Sequence, residues 1–531
     1  MSVFTPSLPW VRQIISRALE PILQAITRYG LFLALIGAAA YFFRIRYRKG
    51  LQDIPGPFWA SILSFDRVIT TASGKQQHKH LQYHNTYGPF VRVGPNHVSI
   101  SRGEFITQIY GIGNAYPKSE FYSVFDAITP HGVRFSTLFS IRDEKAHKSL
   151  KRPVASAFSM TSLVELEPLT DICIEILISK LNRKQGQSVD FGTWLHWYAF
   201  DVITSLTFST RQGFMETETD VDGIINAIEG RLVYNSIIGQ VPFLHKFLLG
   251  NNFIAACAQA VPLVAKLNTV RSIVKFAASQ LEKRTMGKSL SSNDQNHDLL
   301  DRFRRVRDSE EVMTNGDLLN HAASNVFAGS DTTAISLRSM FYYLCKNKRC
   351  YEKLREEIDN MDKEGSLSSP ITFGEASRMP YLQACMKEAM RLHPAVGQML
   401  ERVVPEEGAQ FGQHWLPPGT IVGINPWVVS RETTVYGEDV DDFRPERWLD
   451  ATPEAAKYMQ RNFLAFGSGG RSCLGKNISL LEMSKLVPEL LRRFDIELSS
   501  PMTDWTLKTF WFVKQTDLFC TIKKRPTMEQ S

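Results

Sequence analysis

Phe466-Gly467-Ser468-Gly469-Gly470-Arg471-Ser472-Cys473-Leu474-Gly475 is the stretch on which the reading of this 531-residue chain turns. Glycines at 467, 469, 470 and 475 let the backbone turn tightly and approach a flat ligand closely. A lone cysteine is ordinarily a small buried hydrophobe. Here helical periodicity begins just after Gly475, which places the Cys473 sulfur near the positive end of a helix dipole and several free N–H groups. Those surroundings favour a thiolate, and Phe466 is placed to keep water from it. The other six cysteines (173, 257, 345, 350, 385, 520) are scattered and form no Cys-x-x-Cys pair. Neither a disulfide framework nor a zinc ribbon fits, and the body belongs in a reducing compartment.

Working outward, residues 475–493 read as a final helix, and periodicity from about 140 to 395 is overwhelmingly helical. Ala322 to Tyr343 reads as a helix long enough to cross the body. Its middle, Ala328-Gly329-Ser330-Asp331-Thr332-Thr333, is made of poor helix formers. Taken alone, that segment suggests a break with Asp331 capping a new helix. Tyr87 to Ile100 alternates around Gly94-Pro95 as a hairpin, and short β-like runs occupy Arg402 to Ile424. Met286 to His297 is polar and reads as a surface loop. Val241-Pro242-Phe243-Leu244 with Phe247-Leu248-Leu249 is apolar where a loop is expected, either a core loop or a second membrane contact. The fold class is mainly α with small β-sheets.

The net charge of +7 is almost all at one end. Residues 1–50 hold seven basic residues against Glu20 alone, leaving about +1 over the other 481, so no nucleic-acid footprint remains. Tyr29 to Phe43 carries no charge, and extension back to Pro21 gives a membrane helix of about 21–43. Arg44, Arg46, Arg48 and Lys49 follow as a basic stop that stays cytosolic. The expected topology is a single pass, with membrane lipid around the helix, the N-terminus in the lumen and the body in the cytosol. The alternative, a signal peptide cleaved near Ala38-Ala39-Ala40, is opposed by the long charged leader and the basic stop. Ile54-Pro55-Gly56-Pro57 then reads as a hinge between an anchor, residues 1–50, and the body, residues 51–531.

The cysteine loop resembles the haem-ligand loop of the cytochrome P-450 superfamily, the haem-thiolate monooxygenases. Phe466, Gly467, Gly469, Arg471, Cys473 and Gly475 match its pattern. The resemblance implies haem b bound through Cys473, with Phe466, Gly467 and Gly475 shaping the loop. Glu388 and Arg391, followed by His393-Pro394, resemble the family's Glu-x-x-Arg pair, and Arg447 in Phe443-Arg444-Pro445-Glu446-Arg447-Trp448 completes its structural triad. Glu352/Arg355, Glu375/Arg378 and Glu489/Arg492 share the spacing and read more simply as surface i,i+3 pairs. Arg471 and Arg402 are implied as cations for the haem propionates. Where the family usually has Trp-x-x-x-Arg, this chain has His147 and Lys151, one helical turn apart, which can still hydrogen-bond carboxylates without the bidentate fork.

In this light Ala328–Thr333 resembles the family's acid–alcohol motif. Gly329 leaves room for dioxygen, Thr332 donates a hydrogen bond to it, and Asp331 helps relay protons. No flavin or Rossmann fingerprint is present, so electrons from NADPH come through a partner, NADPH–cytochrome P-450 reductase. Lys145, Lys148 and Arg152, at i, i+3 and i+7 on the helix of His147, form a stripe that could dock it or merely face water. Tyr87–Asn96 looks like filamentous-fungal microsomal members, which places the protein in the endoplasmic reticulum membrane. It also suggests a hydrophobic small molecule of secondary metabolism as substrate, with the pocket at Tyr116–Phe139, Phe327 and Phe510–Phe512. The alternatives are oxygen-independent isomerase or dehydratase chemistry on the same fold, and a non-enzymatic haem sensor.

Overall fold

The computed structural model describes residues 9–113, 116–128, 134–251, 253–254, 257, 270–285, 298–310 and 313–526. The polar stretch Met286–His297 and part of the Tyr116–Phe139 segment lie outside them. Helix α1, Pro9–Arg46, runs straight through Pro21. Its Thr27–Arg46 portion is long and apolar enough to cross a membrane, and none of it is buried by the rest of the chain. The apolar span thus sits a few residues later than 21–43.

The body begins with α2 (Phe65–Ala72) and the hairpin of β1 (Phe90–Gly94) and β2 (His97–Ile100), in which Gly94 pairs with His97 across the turn. Then come α3 (Glu144–Lys151), α4 (Phe191–Phe208), α5 (Ile224–Ile238), α6 (Val270–Thr285), α7 (Asn315–Lys346) and α8 (Pro380–Leu392). Strands β3 (Arg402–Val403) and β4 (Ile421–Ile424) join the hairpin in one sheet of order β1-β2-β4-β3, with β2 and β4 parallel. Helix α9 (Lys476–Arg493) follows the cysteine loop, and the chain closes with β5 (Thr506–Phe510), β6 (Phe512–Thr516) and a small sheet that Ser188–Asp190 joins. A helical protein with small sheets is what the periodicities predict.

The core is organised around the crossing of α4 and α7. Helix α7 spans 32 residues, about 48 Å at 1.5 Å per residue. It starts from a capping box in which Thr314 and Asp317 satisfy each other's backbone N–H groups. No break occurs at Ala328–Thr333. Ser330 and Thr332 turn their hydroxyls back onto the carbonyls of Val326 and Ala328, at 3.0 and 2.9 Å, which satisfies them inside the helix instead of drawing the backbone into a cap. Asp331 caps nothing; its carboxylate goes to α4. Gly329 lines the cavity, and its missing side chain also serves the helix crossing. A Cβ there would lie 2.8 Å from the Ile203 side chain, so the glycine is what lets α4 approach.

Two more expectations change. Ile54–Pro57 is docked rather than free, because the Arg92 N–H donates to Pro55 O at 2.8 Å. The fully buried Arg92 guanidinium donates to the carbonyls of Ile45 and Arg46, at 2.7 Å each, and caps the C-terminus of α1. Pro242–Phe247 is a short 3₁₀ turn in which Phe243 is 62% and Phe247 68% exposed, so for these rings the core-loop reading is wrong. Of the segment's apolar side chains Leu249 is buried, as is the imidazole of His245 within the turn.

Candidate active site

The cysteine loop is folded by its own backbone. Cys473 N–H donates to Phe466 O at 2.8 Å and Gly467 N–H to Leu464 O at 2.9 Å. Gly467 and Gly469 adopt φ of +67° and +63°, and a Cβ on Gly469 would lie 1.7 Å from Tyr110 O. Both positions therefore demand glycine. At Gly475 a Cβ would meet only open space. The Cys473 sulfur faces a cavity of ≈ 390 Å³ whose wall includes Phe466, Gly467, Arg471, Leu474 and Gly475.

The dipole argument for a thiolate is only half the balance. The N–H groups of Gly475 and Lys476 and the charge of Lys151 pull the Cys473 pKa down, as expected, yet burial deep in the protein outweighs them and raises it. The sulfur is open to the cavity but remote from bulk water. The protein alone thus favours the thiol, and a coordinating metal ion is what would complete the thiolate.

One wall of the cavity collects cations. Arg402, Arg471, His147 and Lys151 all line it, as the sequence suggests, and so does Lys118, which sequence reasoning missed. Arg402 donates to Glu401 O at 2.8 Å and lies 5.0 Å from the Tyr110 ring centroid. Arg471 pairs with Glu144, Nη2 to Oε1 2.8 Å, and Lys151 Nζ donates to Gly470 O at 2.9 Å. Lys118 Nζ sits 4.4 and 4.6 Å from the rings of Tyr122 and Phe139 and donates to Phe139 O. Burial drives the Lys118 pKa well down, with further pressure from Arg402 and Arg471. Burial also brings His147 to about 3, helped by Arg471 first among the cations. His147 is therefore a neutral hydrogen-bonding group, not a third positive charge. So many cations at one apolar wall are costly without an anion. A flat group with an apolar face and anionic edge, set above Cys473, fits the wall, and haem has that form. The only sequence signal for Lys118 was a single charge within an aromatic run.

Thr332 also lines the cavity, whereas Asp331 does not reach it. Asp331 Oδ1 accepts from His196 Nε2 of α4 at 2.6 Å, and its Oδ2 is buried without a partner among the described residues. His196, also unforeseen from sequence, is held down to about 4 by burial against the pull of Asp331, so its imidazole is neutral. Phe125, Leu138, Phe139, Phe327, Trp511 and Phe512 line the cavity within the three regions named from sequence, but Ile203, Leu232, Ile273, Val274 and Val396 line it too and were not foreseen.

Away from the cavity, Glu388 accepts from Arg391 (Nε 2.9 Å, Nη2 2.8 Å), from Arg447 Nε at 3.3 Å and from Trp448 Nε1 at 2.9 Å. All three triad members are buried, and Arg391 also donates to the carbonyls of Ser430 and Val440. The three other Glu-x-x-Arg spacings close no i,i+3 pair among the described residues. Arg355 goes to Asp495, Arg492 to Asp362, Glu375 to a helix cap, and Glu489 to Arg493.

A model of the family described as cytochrome P450 matches residues 52–520. The chain is 39% identical over 504 residues to cytochrome P450 monooxygenase cicH of Emericella nidulans, covering 93% of this chain and 98% of that one. It is 35% identical to cytochrome P450 monooxygenase AFLA_114810 of Aspergillus flavus, covering 90% and 93%. Its match to cytochrome P450 monooxygenase mpaDE of Penicillium roqueforti, 37% identical, takes in 90% of this chain but only 56% of that longer protein. The loop that presents Cys473, the cations gathered beside it and these matches agree: the chain belongs to the cytochrome P450 family, whose cofactor is a haem held by a cysteine thiolate.

Proposed function

We propose that the protein is a membrane-anchored haem-thiolate monooxygenase. It inserts one oxygen atom from O2 into a hydrophobic small molecule, a fungal secondary metabolite, with electrons from NADPH through a separate reductase. The observation that carries this reading is the placement of Cys473, the cation wall and Thr332 around one apolar cavity. The haem, once bound, supplies dioxygen reduction and the oxidant. The chain's own residues do the rest. Cys473 ligates the iron, while Arg402, Arg471, Lys118, Lys151 and neutral His147 hold the propionates. Phe466 keeps water from the sulfur. Thr332 presents its hydroxyl to the reaction space, and Asp331 manages protons behind it. Glu388, Arg391 and Arg447 fix the core.

Residues 1–50 serve as the anchor in the endoplasmic reticulum, with residues 51–531 as a cytosolic catalytic domain. The reductase docks on the exposed Lys145, Lys148 and Arg152 of α3 and its C-cap, a helix tied to the cysteine loop through Lys151 and Gly470. The test is spectroscopic. The purified protein should bind one haem, and its ferrous carbon monoxide complex should show the strongly red-shifted Soret band of thiolate ligation. Retention of that band by Cys473→Ala would overturn the ligand assignment.

A further inference from the structure

Glu401 does not line the cavity, yet it is joined to both chain segments that bring Lys118 and Arg402 there. It immediately precedes Arg402, whose Nη1 donates to Glu401 O at 2.8 Å. Its carboxylate Oε2 accepts from Ser119 Oγ at 2.5 Å, and Ser119 immediately follows Lys118. The same two segments meet again where Lys118 and Arg402 form a single antiparallel bridge, and where Val403 N–H donates to Pro117 O at 2.8 Å. Glu401 Oε1 pairs with the Arg67 guanidinium of α2. All five side chains, from Arg67 and Lys118 through Ser119 to Glu401 and Arg402, are buried. Glu401 is the one anionic partner of Arg67 among the described residues; its other contact, His97, is kept neutral by burial and by Arg67 itself. Burial works against the charge of Arg67, and Glu401 opposes that loss.

A buried ion pair is a poor source of net stability, because desolvating two charges offsets most of their attraction. A pair whose carboxylate is also hydrogen-bonded does fix geometry, and here it fixes the two segments that carry Lys118 and Arg402. The charge of Glu401 also reaches the cavity. At Tyr110 and Tyr122, whose phenol pKa values burial raises, Arg402 pulls down and Glu401 pushes further up. We propose that Glu401 is a positioning residue for the haem propionates: through Ser119 and its own backbone it holds Lys118 and Arg402 in place, and its charge, balanced by Arg67, sets the haem reduction potential. This deepens the monooxygenase reading and rests on it for the presence of the haem.

The test is the ferric–ferrous midpoint of the full-length, haem-loaded protein at pH 7, together with the propionate bending band in its resonance Raman spectrum. Reduction adds an electron at the haem. Glu401→Gln removes a buried anion and leaves Arg67 alone, so it should favour reduction. Arg67→Gln leaves the anion alone and should oppose it. Each shift should be about tenfold in the reduction equilibrium, which is about 59 mV for one electron. A merely structural role would move both variants the same way, because loosened packing admits water in each. Ser119→Ala keeps both charges, so it should hold the midpoint within twofold of wild type while shifting the propionate band as Lys118 loosens. It decides the matter if neither charge variant holds haem. Shifts of the same sign, a midpoint within twofold of wild type in either charge variant, or an unmoved band in Ser119→Ala would each overturn the proposal. Any of these with a normal thiolate spectrum leaves the monooxygenase standing. Wild-type protein without a thiolate-ligated haem would instead overturn that reading, and this proposal with it.

Discussion

Thr332 and Asp331 are neighbours in the chain that face different surroundings, and their division of labour follows from that. The Thr332 hydroxyl donates to Ala328 O and leaves its lone pairs at the cavity wall, whereas Asp331 is fastened to His196 behind the helix. Removing the hydroxyl in Thr332→Ala leaves a methyl that still packs, so haem binding and the spectrum should persist. NADPH consumption should continue, with hydrogen peroxide released in place of product. Asp331→Asn should slow the whole cycle instead, within the 10²–10⁴ or so that positioned proton transfer is typically worth. Product and peroxide per NADPH oxidised, with reductase supplied, are the quantities to measure. Full coupling in Thr332→Ala would remove its role, and turnover that needs neither oxygen nor NADPH would move the protein to isomerase chemistry. The spacing of Asp331 and Thr332 is visible in sequence. The partner His196 is not, because it lies 135 residues away on another helix and only the α4–α7 crossing brings it near.

Elements show the same limit. Periodicity locates α7, α9 and the β1–β2 hairpin, because each buries one face or one ladder that its own residues encode. It misjudges the middle of α7, where serine and threonine back-bonds and the snug fit of Gly329 against Ile203 replace intrinsic propensity. It also misjudges Ile54–Pro57, whose immobility depends on Arg92, a buried cation that reads from sequence as one more strand residue. In the cysteine loop nearly everything was legible, since glycine at positive φ and the ligand itself are local requirements. The cation wall was legible except for Lys118, whose place depends on how an aromatic segment folds over Arg402. A prediction belongs at this scale. Deletion of residues 1–50 should weaken membrane association without abolishing it, because exposed Phe243 and Phe247 follow α5, and α5 packs on α2, beside exposed Phe58, Trp59 and Phe65. Adding Phe243→Ser and Phe247→Ser to the deletion should release the protein into the soluble fraction on sedimentation. Release of the intact full-length chain by carbonate would refute the anchor.

Across the whole molecule, burial sets the charge state more than pairing does. His80, His147 and His393 are each brought to about 3 by desolvation, and His84, His196 and His321 to about 4. They sit in different parts of the fold, from β2, where His84 Nε2 meets Ser99 Oγ at 2.8 Å, to β6, where His393 Nε2 donates to Val513 O at 2.8 Å. In the unfolded chain each would titrate near 6.5. Between about pH 6.5 and 4 the unfolded state therefore binds protons that the native state refuses. By linkage, stability falls as pH falls through that window and changes little from these groups above it. The carboxylate of Glu446 acts in the same direction as the buried histidines, but in a more acidic window. Hydrogen bonding to Arg349 lowers it to about 2, so its contribution, present above the unfolded value near 4.3, disappears only in stronger acid. Acid unfolding should accordingly begin with the histidines. Urea midpoints of the full-length protein in detergent should drop steeply from pH 7 to pH 5, and several protons should be taken up per molecule on unfolding at pH 5. His84 does not line the cavity, so His84→Gln should remove a share of that uptake without touching the haem site, while leaving the remainder. A urea midpoint flat between pH 7 and 5 would mean that these imidazoles are protonated in the native protein, and that burial does not govern its charge.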